Sequence, residues 1–209
     1  MRKSFLMISA AALAAFASAQ YKAESAGPPP SDLAPAILSD LNEKGHKVLG
    51  PDGKVLCELW FRKAAPKGPV TTESDVSWKT MPHGELIGAI RWPEAGSDRR
   101  GQNLKPGVYT LRFSFHPING DHQGVAPQRD FLVMTPAGLD PKPDAVPKFD
   151  DLMNMSRKAS GTPHPAVLAM YVVEGDFKPG MVQQGEHDWA LNVVVGEAKI
   201  ALTLVGRSE

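Results

Sequence analysis

The alternation of apolar and polar positions is strongest in "GVYTLRFSF", residues 107 to 115. Tyr109, Leu111, Phe113 and Phe115 fall on one side, and Val108, Thr110, Arg112 and Ser114 on the other. A period of two predicts a strand with one core face and one wet face. "HKVLGPDGKVLCELWF" (46 to 61) reads as a hairpin, because Pro51-Asp52-Gly53 supplies turn chemistry between two β-rich runs. Further strands are predicted at "VTTESDVSW" (70 to 78), "ELIGAIRW" (85 to 92), "DFLVM" (130 to 134) and "AVLAMYVV" (166 to 173). "DWALNVVV" (188 to 195) and "AKIALTLV" (198 to 205) form a last hairpin around Gly196-Glu197.

Two segments carry helical spacing instead. In "PAILSDLNEKG", Pro35 suits a first turn, Ile37, Leu38 and Leu41 share a face, and Gly45 suits the stop. In "FDDLMNMSRKASG", Phe149, Leu152 and Met153 share a side and Gly161 ends the run. The predicted fold class is therefore all-β: one antiparallel β-sandwich or jelly roll over residues 37–209, with one or two short helices.

What precedes that domain differs in character. Arg2 and Lys3 open the chain, an apolar run follows from Phe5 to Phe16, and Ala17-Ser18-Ala19 is a small-residue cleavage pattern. The run is shorter than the ~20 residues that span a bilayer, so residues 1–19 are expected to be a secretory signal peptide. The mature chain would begin near Gln20 and be periplasmic or secreted, with no cysteine at the junction to carry a lipid. No later segment is long and apolar enough to span a membrane. Residues 20–36, with "GPPPSDLAP", are expected to form an extended proline-rich arm.

Composition sharpens this picture at three points. The chain has 19 glycines and 19 prolines, an excess spread along its length that suits many short strands joined by turns. Its 23 basic and 23 acidic residues balance, which argues against a nucleic-acid partner. Cys57 is the single cysteine, so no internal disulfide forms and the fold must rest on its apolar core.

"LKPGVYTLRF" (104 to 113) resembles a signal found in many secreted bacterial β-sandwich domains, including transthyretin-like modules and uncharacterised exported families. The resemblance implies a sandwich fold and an exported protein, and it assigns no functional residue.

Enzyme signatures are absent: there is no Gly-x-Ser-x-Gly elbow, no His-Glu-x-x-His, no phosphate loop and no Cys-x-x-Cys pair. No catalytic residue is assigned, and the reading leans away from an enzyme. Strand parity offers one candidate site. If consecutive strands alternate in direction, the turn at 82 to 84 and the loops at 116 to 128 and 174 to 187 meet at one end. His83, His116, His122 and His187 would gather there with Asp121, as ligands for zinc or copper. Their spacing follows no local ligand pattern, so the competing reading is ordinary polar loops. A second candidate is a ligand site built from Trp78 and Trp92 as flat apolar faces, against core packing of the same rings. Arg99 and Arg100 would clamp an anionic group, or else form a solvated loop with pairing to Asp98.

The functional expectation is an exported, non-catalytic binding module for a carbohydrate or another small polar molecule. The alternatives are a metal-binding protein or metal-dependent hydrolase using the histidines, and an envelope structural protein whose arm adds a strand to a partner.

Overall fold

The computed structural model describes residues 20–118 and 129–207. Among them the chain forms β1 (Lys22–Ala26), α1 (Pro35–Asp40), β2 (Gly45–Leu49), β3 (Val55–Phe61), β4 (Leu86–Trp92), β5 (Gly96–Ser97), β6 (Asn103–Leu104) and β7 (Gly107–Phe115). There follow β8 (Asp130–Pro136), α2 (Phe149–Ser160), β9 (Val167–Val172), β10 (Gly180–Gln184), β11 (Asp188–Val195) and β12 (Ala198–Val205). Asp121 and His122 lie outside the described residues, as does the whole of 1–19.

Antiparallel pairing joins ten strands into one sheet in the order β1-β2-β3-β4-β7-β8-β9-β12-β11-β10. The edges β1 and β10 come back beside each other without a ladder, and the ring of Tyr21 lies 5.5 Å from that of Trp189 across this seam. The sheet is thus nearly closed into a barrel, which corrects the expectation of two stacked sheets. β9 is the reason. Its first half pairs with β8 through Val167 to Ala169, and its second half with β12 through Met170 to Val172. One strand therefore belongs to both halves and leaves no break between them.

The chain directions define two ends. At one end Trp78 plugs the barrel; at the other, Trp92 does. The segment "VTTESDVSW" does not form the expected strand. It crosses the first end as an irregular plug, with Val76, Trp78 and Met81 turned into the core. The Asp130 carboxylate accepts the backbone N–H groups of Ser77 at 2.6 Å and Trp78 at 2.9 Å, and Trp78 meets Phe113 edge-on. A segment whose amides are taken by a carboxylate has no need of a ladder. The proline-rich arm is also corrected. Residues 22–26 pair with β2 of the same chain, from Lys22↔Leu49 to Ala26↔Gly45. Leu33 and Ile37 then lie over the outer face of the sheet, where the Trp60 indole N–H donates to the Gly27 carbonyl at 2.8 Å.

Inside the barrel, alternate residues fill the space: Cys57, Leu59 and Phe61 from β3, Leu111 and Phe113 from β7, Leu132 and Met134 from β8, Leu191 and Val193 from β11. Each large apolar side chain buried here contributes roughly 1.5–3 kcal/mol. β4 departs from strict alternation. Ile87 and Ile90 both face inward, while Leu86 and Ala89 pack outward with α1. Residues three apart fall on opposite faces of a regular strand, so one extra residue must be absorbed. The register against β7 shifts between Leu86 and Gly88, which is a β-bulge. Gly88 makes it possible: a Cβ there would stand 2.3 Å from the Trp60 carbonyl oxygen.

The outer face of β7 is not wet. Thr110, Arg112 and Ser114 are each 0 % exposed. Thr110 and Arg112 are covered by the strap 137–148, which runs from a short 3-10 turn (Ala137–Leu139) to α2, and Ser114 meets His83. Arg112 donates Nε to Asp140 Oδ2 and Nη2 to Asp140 Oδ1, both at 2.7 Å. Its remaining N–H groups donate to the carbonyls of Gly84 (2.7 Å), Lys142 (2.7 Å) and Ala145 (2.6 Å). Thr110 Oγ1 donates to the same Asp140 at 2.6 Å. α2 continues the cover, setting Leu152 and Met153 on Phe131, Val133 and Val167. Asp150 and Asp151 begin this helix, Arg157 and Lys158 end it, and Gly161 closes it at φ 68°, all favourable at helix ends.

Gly88→Ala forces backbone to move at the bulge and is expected to cost about 1–3 kcal/mol. Urea unfolding measures it; a loss under about 0.5 kcal/mol contradicts the close approach.

Candidate functional site

The three described histidines of the predicted cluster divide between the two ends. His83 and His116 reach the Trp78 end, as parity predicts. His187 does not. The segment 174–187 contains β10, a strand without a clear apolar pattern, and the extra crossing carries His187 to the Trp92 end. There it is exposed, with Glu186 at 3.8 Å its only ion-pair contact among the described residues. His83 is held by Ser114 Oγ at 3.0 Å from Nδ1 and sits among the rings of Phe115 and Phe149. His116 is stacked flat on Phe131, with centroids 4.3 Å apart. Among the described residues, no three His, Cys, Asp or Glu side chains come together in a way that would hold a metal ion.

The tryptophan and arginine expectations resolve toward packing. Trp78 and Trp92 are 5 % and 1 % exposed, so neither offers an open face. Arg99 pairs with Asp188 at 2.7 Å rather than with Asp98. Asp98 is committed elsewhere: its carboxylate accepts the N–H groups of Arg100, Gln102 and Val167 and the Gln102 side-chain amide. These bonds fasten the 96–104 ribbon to the start of β9. Arg100 lines a nearly filled hollow of about 10 Å³ beside His116 and Met153, too small for a ligand.

Two larger hollows are lined by described residues. One, of about 340 Å³, lies at the Trp78 end among Glu73, Phe115, Pro117, Ile118, Arg129 and Phe149. Its charges cancel, because Arg129 pairs with Glu73 at 2.9 Å and donates to the His116 carbonyl at 2.6 Å. The other, also about 340 Å³, is the barrel mouth at the Trp92 end. Several distant pieces build it. Tyr21 precedes β1, Leu56 comes from β3, Trp92 ends β4, and the ribbon of β5 and β6 supplies Ser97 and Asn103. Leu204, Gly206 and Arg207 follow from the end of β12. The ribbon approaches Trp92 closely: a Cβ on Gly96 would lie 2.4 Å from the indole ring. Gly206 stands at φ 113° against Asp188, which keeps the Arg99–Asp188 pair immediately behind the cavity rim.

Of the side chains singled out in the sequence, only Trp92 lines this mouth. Tyr21, Asn103 and Arg207 carried no pattern of their own; only the ring order of the strands brings them together. No family model, curated protein or solved structure matches the chain.

Burial lowers the pKa of His46 and His83 below the ordinary imidazole value, in His83 against a backbone hydrogen bond at Pro147 that raises it. The unfolded chain therefore binds these protons at higher pH than the folded one. Stability is full above the ordinary imidazole range and is lost as pH falls through it toward the folded values. The urea midpoint is expected to be lower at pH about 5 than at about 7.5, and the His46→Gln/His83→Gln double variant to remove most of that difference. A difference unchanged in the double variant contradicts this assignment.

Proposed function

We propose that the chain is a non-catalytic binding module that holds a small molecule in the mouth at the Trp92 end. One observation carries the reading. The barrel interior is filled and its ends are plugged, yet a half-enclosed hollow of about 340 Å³ persists above Trp92. That volume falls within the range of small-molecule sites, roughly 300–1,000 Å³. Its wall has the mixed character such sites use: aromatic and aliphatic surface from Tyr21, Leu56 and Leu204, with polar groups from Ser97, Asn103 and Arg207.

The same wall supports binding rather than catalysis. Its described residues include no His, Cys, Asp or Glu to act as general acid, base or nucleophile. Export, predicted from residues 1–19, would place the module where it meets small molecules outside the cytoplasm.

Tryptophan emission reads this site through Trp92. Titration with a panel of oligosaccharides and small organic acids, amines and alcohols is expected to give saturable change with at least one class. Trp92→Phe is expected to abolish that change while leaving the fold intact by circular dichroism. A flat response to the entire panel overturns the reading.

A further inference from the structure

We infer that the ligand of this mouth is an anion with a flat apolar body, such as a small monocarboxylate, and that Arg207 reads its charge. The inference rests on the binding reading above and adds the chemistry of the ligand. Among the described residues that line the cavity there is one cation, Arg207, and no acid. Arg207 forms no ion pair with any described residue, and its guanidinium lies over Gly101, with Nε 3.0 Å from where a Cβ would stand. A side chain there would push the guanidinium away; glycine lets it lie against the loop. The nearest carboxylate behind the rim, Asp188, is already neutralised by Arg99 at 2.7 Å. Among the described residues the cavity thus has one cation, exposed at its rim, with no acid paired to it.

Trp92 lies against the same wall. Trp92 is 1 % exposed, and its Nε1–H has no hydrogen-bond partner among the described residues. A buried indole N–H ordinarily finds an acceptor. A rim cation with no acid beside it among the described residues is complementary to an acceptor that carries negative charge. The guanidinium also presents a fork that matches a carboxylate with two parallel bonds. Beside the polar Ser97 and Asn103, the rest of the wall has an aromatic and aliphatic part from Tyr21, Leu56, Leu204 and Trp92. That part suits a flat apolar body.

Phenylacetate and its neutral amide, phenylacetamide, form a matched pair of probes. The ¹⁵N-labelled protein is titrated with each while the Trp92 indole N–H resonance, assigned by its loss in Trp92→Phe, is followed. Phenylacetate is expected to shift that resonance saturably, with phenylacetamide at least tenfold weaker. Arg207→Gln should bring phenylacetate down to the level of the amide and leave the amide unchanged. Equal binding of both probes, or discrimination that survives Arg207→Gln, overturns the anion assignment while leaving the binding module in place. No shift with either probe overturns the anion assignment as well; the wider panel, read through Trp92 emission, then decides separately whether the mouth binds anything.

Discussion

The guanidinium of Arg112 organises this molecule. It is fully buried, carries a permanent charge, and uses all five of its N–H groups: two on Asp140, three on backbone carbonyls from three different places in the chain. An unpaired charge in that position would be intolerable, so the partners must be delivered. Asp140 and the carbonyls of Lys142 and Ala145 all belong to the strap, and Gly84 to the turn before β4. A single side chain thus ties two connections onto one face of β7. Once the strap is down, α2 follows it across the outer face of β8, and Phe131 and Val133 become core.

This arrangement decides where a hollow is left. The apolar interior is spent on packing, and the outer face that alternation marks as wet is spent on the strap. Plugging segments occupy the ends: 70–84 over one, the 96–104 ribbon over the other. The ribbon is anchored by Asp98 rather than packed as a full strand, and it leaves the mouth above Trp92 half open. The hollow arises where a short two-stranded ribbon has to cover the width of a barrel.

Much of the β framework was legible because strands buried on one face announce themselves by period. β7, β8, β11 and β12 fall where the β-rich runs put them; α1 begins at Pro35 and Gly161 closes α2, whereas α1 ends already at Asp40 and Gly45 opens β2 instead of stopping the helix. What was hidden has physical causes. Thr110, Arg112 and Ser114 read as solvent-facing because polarity alone cannot separate water from a buried partner brought from residue 140. β10 was missed because an edge strand with an exposed Gln183 and a half-buried Gln184 carries little apolar signal, and that one omission sent His187 to the wrong end. β1 was read as tether because three prolines follow it. The barrel mouth was invisible for another reason: Tyr21 and Arg207 stand near opposite termini, and only closure of the sheet makes them neighbours.

The clamp is tested most directly by urea unfolding of Arg112→Lys. Lysine keeps the charge but has a single ammonium in place of the fork, so it cannot reach Asp140 and three carbonyls together. The clamp predicts a loss of about 3–5 kcal/mol, the scale of breaking a buried, hydrogen-bonded ion pair. A variant within about 0.5 kcal/mol of the native chain would show that the strap is held by something else.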